Sequence, residues 1–374
     1  MSVSMRRLSL AASASCWTPQ PRCLRSVRMR LPMRVTNSCV AWPSGAFSGL
    51  IVRTIVRKKL PPGWMSNILL IMRVISSPRV SEQAVLAALR DAFGAPSLRT
   101  APTPGQFTVD LPGGGDVIHY PAVLPHADVY SVKVSPYLPD PAGPAVVTAW
   151  TMLVSLATGQ PLALLDASEL TVERTAATTV LAADLLLPPG ARTAAVIGYG
   201  RVGRAHARYL RHLRPGMTVR AFAPKGVDGT ADGVQAAANL EDAVTGADLV
   251  MLCTSAADDV IDPRTLPAGT VVTSISTNAP GAREIPPAAV KALDVYVDAL
   301  TTLQVAADLT RATADGWDPA AVRGDLADLV AGRAQGPSGE RAVYFRSVGL
   351  GIEDAAVAWA TLHNDNAMTK GQPR

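Results

Sequence analysis

Residues 196–203, VIGYGRVG, place Gly198, Gly200 and Gly203 in the spacing G-x-G-x-x-G. The motif follows the apolar run TAAVI and opens RVGRAHARYLRHL, which is typical of a helix. The three glycines then serve a tight turn, the close approach of the backbone to a pyrophosphate, and the close packing of helix on strand, respectively. The free N–H groups at the helix N-terminus also favour phosphate. The stretch therefore predicts a dinucleotide-binding turn.

Strands and helices alternate after this turn. The strands TVRAFAP, DLVMLCT, TVVTSIS and VYVDA follow one another, and the short helix NLEDAVTGA lies between the first two. Such alternation indicates a parallel, doubly wound sheet. We therefore assign residues 186–317 to a Rossmann-type α/β domain that binds NAD(P).

The chain before residue 186 has a different pattern. The segment SEQAVLAALRDAF predicts an amphipathic helix with Ser81 as its N-cap. A hairpin around residues 113–115, the strand VYSVKVSPY and two strands that turn at residues 158–159 should follow. This region is therefore expected to contain a mixed, largely antiparallel sheet.

Helical patterns enclose the alternating region. The segment TVERTAATTVLAADLLL predicts a helix from Thr171 that ends before Pro188. Residues 318–360 return to helix, with DLADLVAG and GIEDAAVAWATL as the clearest segments. We expect residues 65–185 and 318–365 to form one mixed α+β domain, into which the α/β domain is inserted.

The N-terminal residues differ from the rest in charge. Residues 1–80 hold 13 of the 35 Lys and Arg and none of the 30 Asp and Glu, although the whole chain has a net charge of +5. The remainder has 22 basic against 30 acidic residues, so its acidic balance argues against nucleic-acid binding. We interpret residues 1–64 as an atypical basic extension outside the native protein, which would start near Met65 or Met72. A targeting segment and a basic binding tail are the alternatives.

Cysteine usage and hydropathy bear on location and partners. Cys253 is the one cysteine after residue 64, so the body has neither a disulfide framework nor a cysteine metal cluster. No apolar run in the sequence reaches the roughly 18 residues of a membrane helix. We expect a cytoplasmic protein that binds no metal, no membrane and no nucleic acid.

The end of the second predicted strand bears on the choice between NAD and NADP. NAD-binding proteins often have an acid about 20 residues after the motif, and here the sequence is AFAPK, ending at Lys225. Lys225 could meet a 2′-phosphate, so NADP(H) is slightly favoured over NAD(H); an ordinary surface lysine is the alternative. The candidate cofactor-binding residues are Gly198, Tyr199, Gly200, Arg201, Val202, Gly203, Lys225, Cys253, Thr254 and Ser255.

Three stretches resemble the ornithine cyclodeaminase/mu-crystallin family: VKVSPYLP, TGQPLALLDASELTVERTAATT with the glycine turn after it, and YFRSVGLGIEDAA. The resemblance covers about residues 81–360. It implies a Rossmann domain inserted into a substrate-binding domain, whose sheet forms a homodimer. It also implies hydride transfer between NAD(P) and the α-carbon of an amino acid or its imine.

The resemblance implies that Lys133 and Arg174 hold the substrate carboxylate, with Arg99 as the candidate for a second arginine. Fixed cations beside a hydride-transfer centre set the α-carbon against the nicotinamide. Lys133 could also assist proton transfer if burial lowers its pKa. Arg174, three residues into its predicted helix, should lie near the helix N-terminus. A surface ion pair, a helix-end salt bridge and a plain loop arginine are the alternatives for Lys133, Arg174 and Arg99, respectively.

Asn278 departs from the pattern of the family's cyclodeaminases, which carry an aspartate there that handles the substrate's side-chain amine. Asparagine cannot act as a base. Dehydrogenation or imine reduction is therefore favoured, and Asn278 could still hydrogen-bond the substrate or the cofactor. The alternatives are an ornithine or lysine cyclodeaminase that forms proline or pipecolate with release of ammonia, and a non-catalytic NAD(P)-binding protein.

Overall fold

Two β-sheets dominate the computed structural model, which describes residues 73–99, 104–228, 233–275 and 281–370. These ranges all fall within one unit, Phe47–Arg374. The predicted extension of residues 1–64 lies outside the described residues, and so does Asn278.

The first sheet is built from residues near the start of the described chain. Its strands are β1 Arg73–Ile75, β2 Phe107–Asp110, β3 Asp116–Leu124, β4 Val129–Leu138, β5 Val146–Val147, β6 Trp150–Ser155 and β7 Pro161–Asp166. The strand order is β1-β7-β6-β4-β3-β2, with β5 paired to β4. All pairs are antiparallel except β1 with β7. The predicted hairpin is the β2–β3 pair, and Gly159 lies in the β6–β7 turn with φ of +69°.

The second sheet contains eight strands that all run parallel. They are β8 Thr193–Ile197, β9 Thr218–Phe222, β10 Gln235–Ala236, β11 Leu249–Leu252, β12 Val271–Ser274, β13 Asp294–Val297, β14 Gly324–Asp325 and β15 Val343–Arg346. Their order is β10-β9-β8-β11-β12-β15-β13-β14. β8, β11, β12 and β15 are almost completely buried and mostly apolar, as expected for parallel strands with both faces covered. The predicted α/β fold with a doubly wound parallel sheet is confirmed.

Helices cover the faces of both sheets. The α-helices are α1 Glu82–Gly94, α2 Ser168–Leu186, α3 Arg201–Leu213, α4 Leu240–Val244, α5 Ala307–Ala314, α6 Leu326–Val330 and α7 Gly351–Lys370. Short 3₁₀ turns occur at Pro96–Arg99, Pro125–Ala127, Pro263–Thr265, Pro287–Ala292, Leu300–Gln304 and Pro319–Ala321. α1 begins where the sequence predicts, since Oγ of Ser81 accepts a hydrogen bond from the backbone N–H of Ala84 at 3.3 Å. No helix among the described residues is long and apolar enough to cross a membrane.

Helix α2 contacts helices from both parts of the fold. It packs on α3 at one side and on α1 and α7 at the other. Small buried residues such as Ala176 and Ala183 let these helices approach closely, and Val180 and Leu181 are fully buried. Burying each such valine or leucine contributes roughly 1.5–3 kcal/mol to folding. α2 therefore holds the side chains it carries at fixed positions between the sheets.

Two sequence predictions need correction. α2 begins at Ser168 rather than Thr171, because Oδ1 of Asp166 accepts a hydrogen bond from the backbone N–H of Ser168 at 2.9 Å and starts the helix earlier. Residues 343–346, which we predicted as part of a helical return to the first domain, form strand β15 between β12 and β13 of the parallel sheet. Strand β14, which also lies within residues 318–365, belongs to the same sheet, so the predicted limit at residue 317 does not follow the sheets.

Candidate active site

All strands of the eight-stranded sheet are parallel, so their carboxyl ends meet at one edge. Gly198 follows β8, Cys253 and Thr254 follow β11, and Asp298 follows β13. Ligands bind at this edge in open α/β sheets. The predicted glycine turn therefore lies where such a fold binds its cofactor.

The three glycines of the turn differ in what a side chain at each position would meet. Gly198 has a φ of +91°, and a Cβ atom there would lie 2.5 Å from the carbonyl oxygen of Cys253. A Cβ on Gly203 would collide with the carbonyl oxygen of Gly198. Gly200 is different, because a Cβ there would have no protein atom within 4 Å among the described residues. The fold requires glycine at 198 and 203, whereas at 200 it leaves open space.

That space lies at the start of helix α3. Gly200 is the N-cap of α3, and no side chain caps the helix there. The first N–H groups of a helix have no partner within it and favour a bound anion. Open space at Gly200 together with an uncapped helix N-terminus fits the pyrophosphate of a dinucleotide. Among the described residues, no group of His, Cys, Asp and Glu could hold a metal ion.

The other candidate cofactor residues of the turn have different surroundings. The ring of Tyr199 is buried, with the guanidinium of Arg204 5.5 Å from its centroid. Arg201 is exposed and forms an ion pair with Glu169. Val202 is half-buried, and its carbonyl oxygen lies 2.8 Å from Nδ1 of His206.

Four further candidates lie beyond the turn: Lys225, Cys253, Thr254 and Ser255. Lys225 is exposed in a turn that the backbone N–H of Gly226 closes on the carbonyl of Ala223 at 2.9 Å. Cys253 is half-buried, and burial raises the pKa of its thiol well above the usual value, so it is no thiolate nucleophile. Ser255, two residues after Cys253, is exposed.

Glu284 is a residue of this edge that we did not predict. It is fully buried, and its Oε1 accepts hydrogen bonds from the backbone N–H and the hydroxyl of Thr254 at 2.8 and 2.7 Å. Its Oε2 accepts from the hydroxyl of Ser274 at 2.7 Å. Glu284 therefore ties the carboxyl ends of β11 and β12 together beside the candidate cofactor site.

The predicted substrate residues Lys133 and Arg174 meet in a buried cluster with two acids. Nζ of Lys133 lies 3.0 Å from Oδ1 and 2.9 Å from Oδ2 of Asp354. Nε of Arg174 donates to Oδ1 of Asp354, and Nη1 donates to Oε2 of Glu353, both at 3.0 Å. Nζ of Lys133 also lies 4.1 Å from the ring centroid of Tyr120. Strands β3 and β4 and helices α2 and α7 thus converge on four charges.

Lys133, Arg174, Glu353 and Asp354 form a buried charge cluster. Burial shifts the pKa values of three of these groups. Burial lowers the pKa of Lys133 to about 8, although Asp354 opposes the shift. Burial raises the pKa of Glu353 to about 8, although Arg174 opposes it. Burial alone would lower the pKa of Arg174, but Asp354 and then Glu353 raise it above its usual value. Two of the four groups can therefore change charge near neutral pH.

The cluster lies behind the wall of a cleft of about 450 Å³ between the two sheets. Pro121 of β3 lines the cleft, and so do Gly349 and Gly351 at the start of α7. A Cβ on Gly349 would collide with the guanidinium of Arg174, and one on Gly351 would lie 2.5 Å from the carbonyl oxygen of Pro121. Only glycine at position 349 lets the backbone pass this close to Arg174, so this cation lies directly beside a residue that lines the cleft.

Asp298 shapes the same wall from the parallel sheet. Its carboxylate is buried, and its Oδ2 accepts hydrogen bonds from the hydroxyl of Ser347 at 2.9 Å and from the backbone N–H groups of Val348 and Gly349 at 2.8 and 3.0 Å. These bonds hold the segment that follows β15. The glycines beside the cluster therefore have a fixed backbone.

The structure brings some of the predicted substrate residues together. Lys133 and Arg174 are 1% and 6% exposed, so neither a surface ion pair nor a helix-end salt bridge describes them. The prediction that Arg174 lies near a helix N-terminus is wrong, since α2 begins at Ser168 and Arg174 is in its second turn. Arg99 ends the turn Pro96–Arg99, next to Leu98, which lines the cleft. Asn278 lies outside the described residues.

Residues 66–371 match the Ornithine cyclodeaminase/mu-crystallin family. The chain belongs to this family. The match covers both sheets and every element around the cleft, and it confirms the resemblance that the three sequence stretches indicated.

Similar proteins support the family and the fold. The chain is 46% identical over 287 residues to the NAD(P)H-dependent anabolic L-arginine dehydrogenase DauB of Pseudomonas aeruginosa, covering 73% of this chain and 90% of that protein. The structure of a probable ornithine cyclodeaminase from Bordetella pertussis is 30% identical, with a TM-score of 0.72 over 81% of this chain and 99% of that one. The fold also matches Thermococcus litoralis Delta(1)-pyrroline-2-carboxylate reductase in complex with NADH and L-proline, at 24% identity and a TM-score of 0.72 over 80% and 98% of the two chains.

Family membership and the glycine turn identify the reaction class. The chain is an NAD(P)-dependent oxidoreductase that acts at the α-carbon of an amino acid or its imine. The turn that would hold the cofactor and the cleft beside the charge cluster lie on the same edge of the parallel sheet.

Proposed function

We propose that this chain is a dehydrogenase, or in reverse an imino-acid reductase, for a cationic amino acid of the L-arginine type. The charge of the cleft carries this proposal. Asp298 and Asp325 are among the described residues that line it, and no lysine or arginine is among them. Such a lining favours a cationic side chain and disfavours a second carboxylate. The similarity to an L-arginine dehydrogenase supports the same choice.

The two ends of the substrate would meet different parts of the site. We assign the α-carboxylate to Lys133 and Arg174, which are cations directly behind the glycine wall. Apolar side chains such as Leu98, Leu300 and Ile352 line the cleft and would contact the methylene groups of a long side chain. In this assignment, binding energy from the side chain positions the α-carbon for reaction.

The cofactor supplies the redox chemistry: when bound, its nicotinamide exchanges a hydride with the α-carbon. The chain's own residues do the rest. Gly200 and the N-terminus of α3 receive the pyrophosphate, and Thr254, fixed by Glu284, shapes the edge next to it. Lys133, whose pKa is lowered to about 8, can hold or release a proton at Nζ near neutral pH. Arg174 stays charged and fixes the carboxylate.

NADP(H) is our preferred cofactor over NAD(H). The second strand of the parallel sheet, β9, ends without a carboxylate at residues 221–225, and the exposed Lys225 lies in the turn that follows it. A 2′-phosphate at that place would gain a charge-assisted hydrogen bond, which the 2′-hydroxyl of NAD would not.

We also propose a homodimer in the cytoplasm. Phe107, Val109 and Val147 of the first sheet are 53%, 45% and 68% exposed, an unusual density of apolar side chains on one sheet. The family resemblance implies a dimer formed through that sheet, which supports the proposal. The single cysteine of the body suits a reducing compartment. Sedimentation velocity would test the dimer, and a monomer at micromolar concentration would contradict it.

A substrate panel tests the function. The purified chain is incubated with NAD⁺ or NADP⁺ and with L-arginine, L-ornithine, L-alanine or L-proline, and the reduced cofactor is followed by its absorbance. We expect turnover with L-arginine above that with L-alanine or L-proline. Ammonia release from L-ornithine without a net change in the cofactor would instead identify a cyclodeaminase. Cofactor binding without turnover of any amino acid would favour a non-catalytic binding protein.

A further inference from the structure

The buried charge cluster is balanced without substrate. Lys133 and Arg174 supply two positive charges, and Glu353 and Asp354 supply two negative charges when ionised. All four side chains are at most 7% exposed, so water screens them poorly. With all four groups ionised, every charge in the cluster therefore has a counter-charge inside the protein; with Glu353 protonated, the cluster carries one net positive charge.

A substrate carboxylate upsets that balance. If it joins Lys133 and Arg174, as the proposed function requires, three carboxylates share two cations. An uncompensated buried charge is costly, and a buried acid avoids that cost by taking up a proton. The binding of the substrate should therefore change the protonation state of the cluster.

Glu353 is the acid that is less firmly held. Asp354 is bound by both Lys133 and Arg174, whereas Glu353 has one contact, from Nη1 of Arg174 to Oε2. Its Oε1 is buried and has no hydrogen-bond partner among the described residues. A proton on Oε1 would leave the bond at Oε2 in place.

We propose that Glu353 takes up one proton from solvent when the carboxylate of an amino-acid substrate binds at Lys133 and Arg174. The proton forms an O–H bond at Oε1, and no bond of the substrate breaks in this step. The charge of the cluster with its ligand is then zero again. Glu353 is a positioning residue in this scheme, because it acts through Arg174.

The surroundings of Glu353 are consistent with this role. The charged groups that face it are Arg174 of α2, Asp354 of its own helix α7 and Asp298, which follows β13. Lys133 of β4 interacts with it as well, while its Nζ lies over the ring of Tyr120 of β3. Two of these groups are further acids, and burial already raises the pKa of Glu353 to about 8. One more carboxylate shifts the same equilibrium further toward the protonated form.

Calorimetry on the full chain measures this proton. L-Arginine is titrated into the protein saturated with NADPH, a pair that cannot react, in buffers of different ionisation enthalpy. At pH 9, where Glu353 starts mostly ionised, we expect the wild type to take up roughly one proton per site more than Glu353→Gln, and at pH 6 we expect close to no uptake. Lys133, whose pKa burial lowers to about 8, starts mostly neutral at pH 9 and can take up a proton of its own in both proteins. Glu353→Gln should bind L-arginine without the additional proton. Asp308→Asn is the matched control, since Asp308 is a fully buried acid that pairs with another arginine, Arg346, outside the cluster.

This inference rests on the proposed function. The outcomes of the titration distinguish a failure of the inference from a failure of the proposed function. Binding without proton uptake at pH 9 contradicts the inference alone. If Glu353→Gln takes up as many protons as the wild type and Lys133→Met takes up none, the proton belongs to Lys133 and the inference is overturned. If L-arginine does not bind but L-alanine or L-proline does, the cationic substrate is wrong and the titration is repeated with that amino acid. Binding of none of the three contradicts both proposals.

A second measurement needs no variant. The infrared difference spectrum of the wild-type chain with NADPH, before and after addition of L-arginine at pH 9, should gain the C=O stretch of a protonated buried carboxyl group. If Glu353→Gln folds poorly, this band still tests the proposal. Its absence in a complex that calorimetry shows to be formed would contradict proton uptake by Glu353.

Discussion

Nζ of Lys133 lies 3.0 Å from Oδ1 of Asp354, although the two residues are 221 positions apart. The contact joins strand β4 to helix α7, and Lys133 and Asp354 are 1% and 5% exposed. Removing one partner of an ion pair that is shielded from water in this way is costly, because the remaining charge stays buried. This contact therefore contributes to both the fold and the candidate substrate site.

Lys133→Met should reduce turnover at least ~100-fold and leave cofactor binding unchanged, because the proposed carboxylate ligand is removed at a distance from the glycine turn. It should also lower the free energy of unfolding by up to about 3 kcal/mol, since Asp354 keeps only Arg174 as a partner. Turnover is measured from NADPH absorbance and cofactor binding from NADPH fluorescence. Lys291→Met, which removes an exposed lysine, is the control. Normal turnover in Lys133→Met would refute its assignment.

Arg174→Lys should raise the KM for the amino acid more than tenfold and lower the melting temperature. A lysine cannot reproduce the fork that donates to Asp354 through Nε and to Glu353 through Nη1. Arg208→Lys is a matched control, since Arg208 also bridges two acids, Glu82 and Glu173, but is 47% exposed. Its effect should stay below about 1 kcal/mol, as for other exposed pairs. Equal effects of the two substitutions would contradict a special role for Arg174.

The stability of the protein should depend on pH through Glu353. Its pKa rises to about 8 on folding, from the usual 4.5, so between pH 4.5 and 8 the folded chain holds a proton that the unfolded chain has lost. Stability from this group is therefore present at low pH and falls as pH rises through that window. Glu353→Gln should remove this fall, so that the variant gains on the wild type between pH 5 and 8 in thermal melts. Glu340→Gln, at an exposed acid, should show no such gain. A constant difference between Glu353→Gln and wild type would contradict the raised pKa.

The turn and the charge cluster differ in how far sequence could predict them. Gly198 and Gly203 are required by contacts within a few residues or with the adjacent strand, so their spacing alone indicates the turn. The partners of Lys133 and Arg174 are 221 and about 180 residues away, and no local pattern identifies them. Glu353 and Asp354 belong to the stretch GIEDAA. A pair of acids in a predicted helix usually indicates a solvent-exposed face. Only the packing of α7 on β3 and β4 makes them part of the site.

Strand β15 illustrates the same limit. Its residues Val343–Arg346 pair with β12 and β13, which lie at least 46 residues earlier in the chain. A run of three apolar residues, such as 343–345, fits a strand or a buried helix equally well, and its partners decide which forms. The start of α2 differs from the prediction for a local reason, because Asp166 provides a turn signal two residues before Ser168.

Gly200→Ala should separate cofactor binding from folding. A methyl group at position 200 meets no described protein atom within 4 Å, so stability should be nearly unchanged. The same methyl group would project into the space assigned to the pyrophosphate and weaken NADPH binding roughly tenfold or more, which is about 1.4 kcal/mol or above. Gly216→Ala is the control, because position 216 is equally open but far from the turn in sequence. Gly203→Ala should instead destabilise the fold through its collision with Gly198. Unchanged NADPH affinity in Gly200→Ala would contradict the cofactor assignment.

Lys225→Glu should reverse the preference between the two cofactors. The exposed lysine in the turn after β9 would pair with the 2′-phosphate of NADPH, whereas a glutamate would repel that phosphate and accept a hydrogen bond from the 2′-hydroxyl of NADH. We expect the Kd for NADPH to rise roughly tenfold and the Kd for NADH to fall, both measured by fluorescence titration at low salt, where exposed charges are least screened. Lys291→Glu makes the same change of charge at an exposed position and should leave the ratio of the two constants unaltered. If the ratio is also unaltered in Lys225→Glu, Lys225 is an ordinary surface lysine, and the specificity for the ribose is determined by other residues near the end of β9.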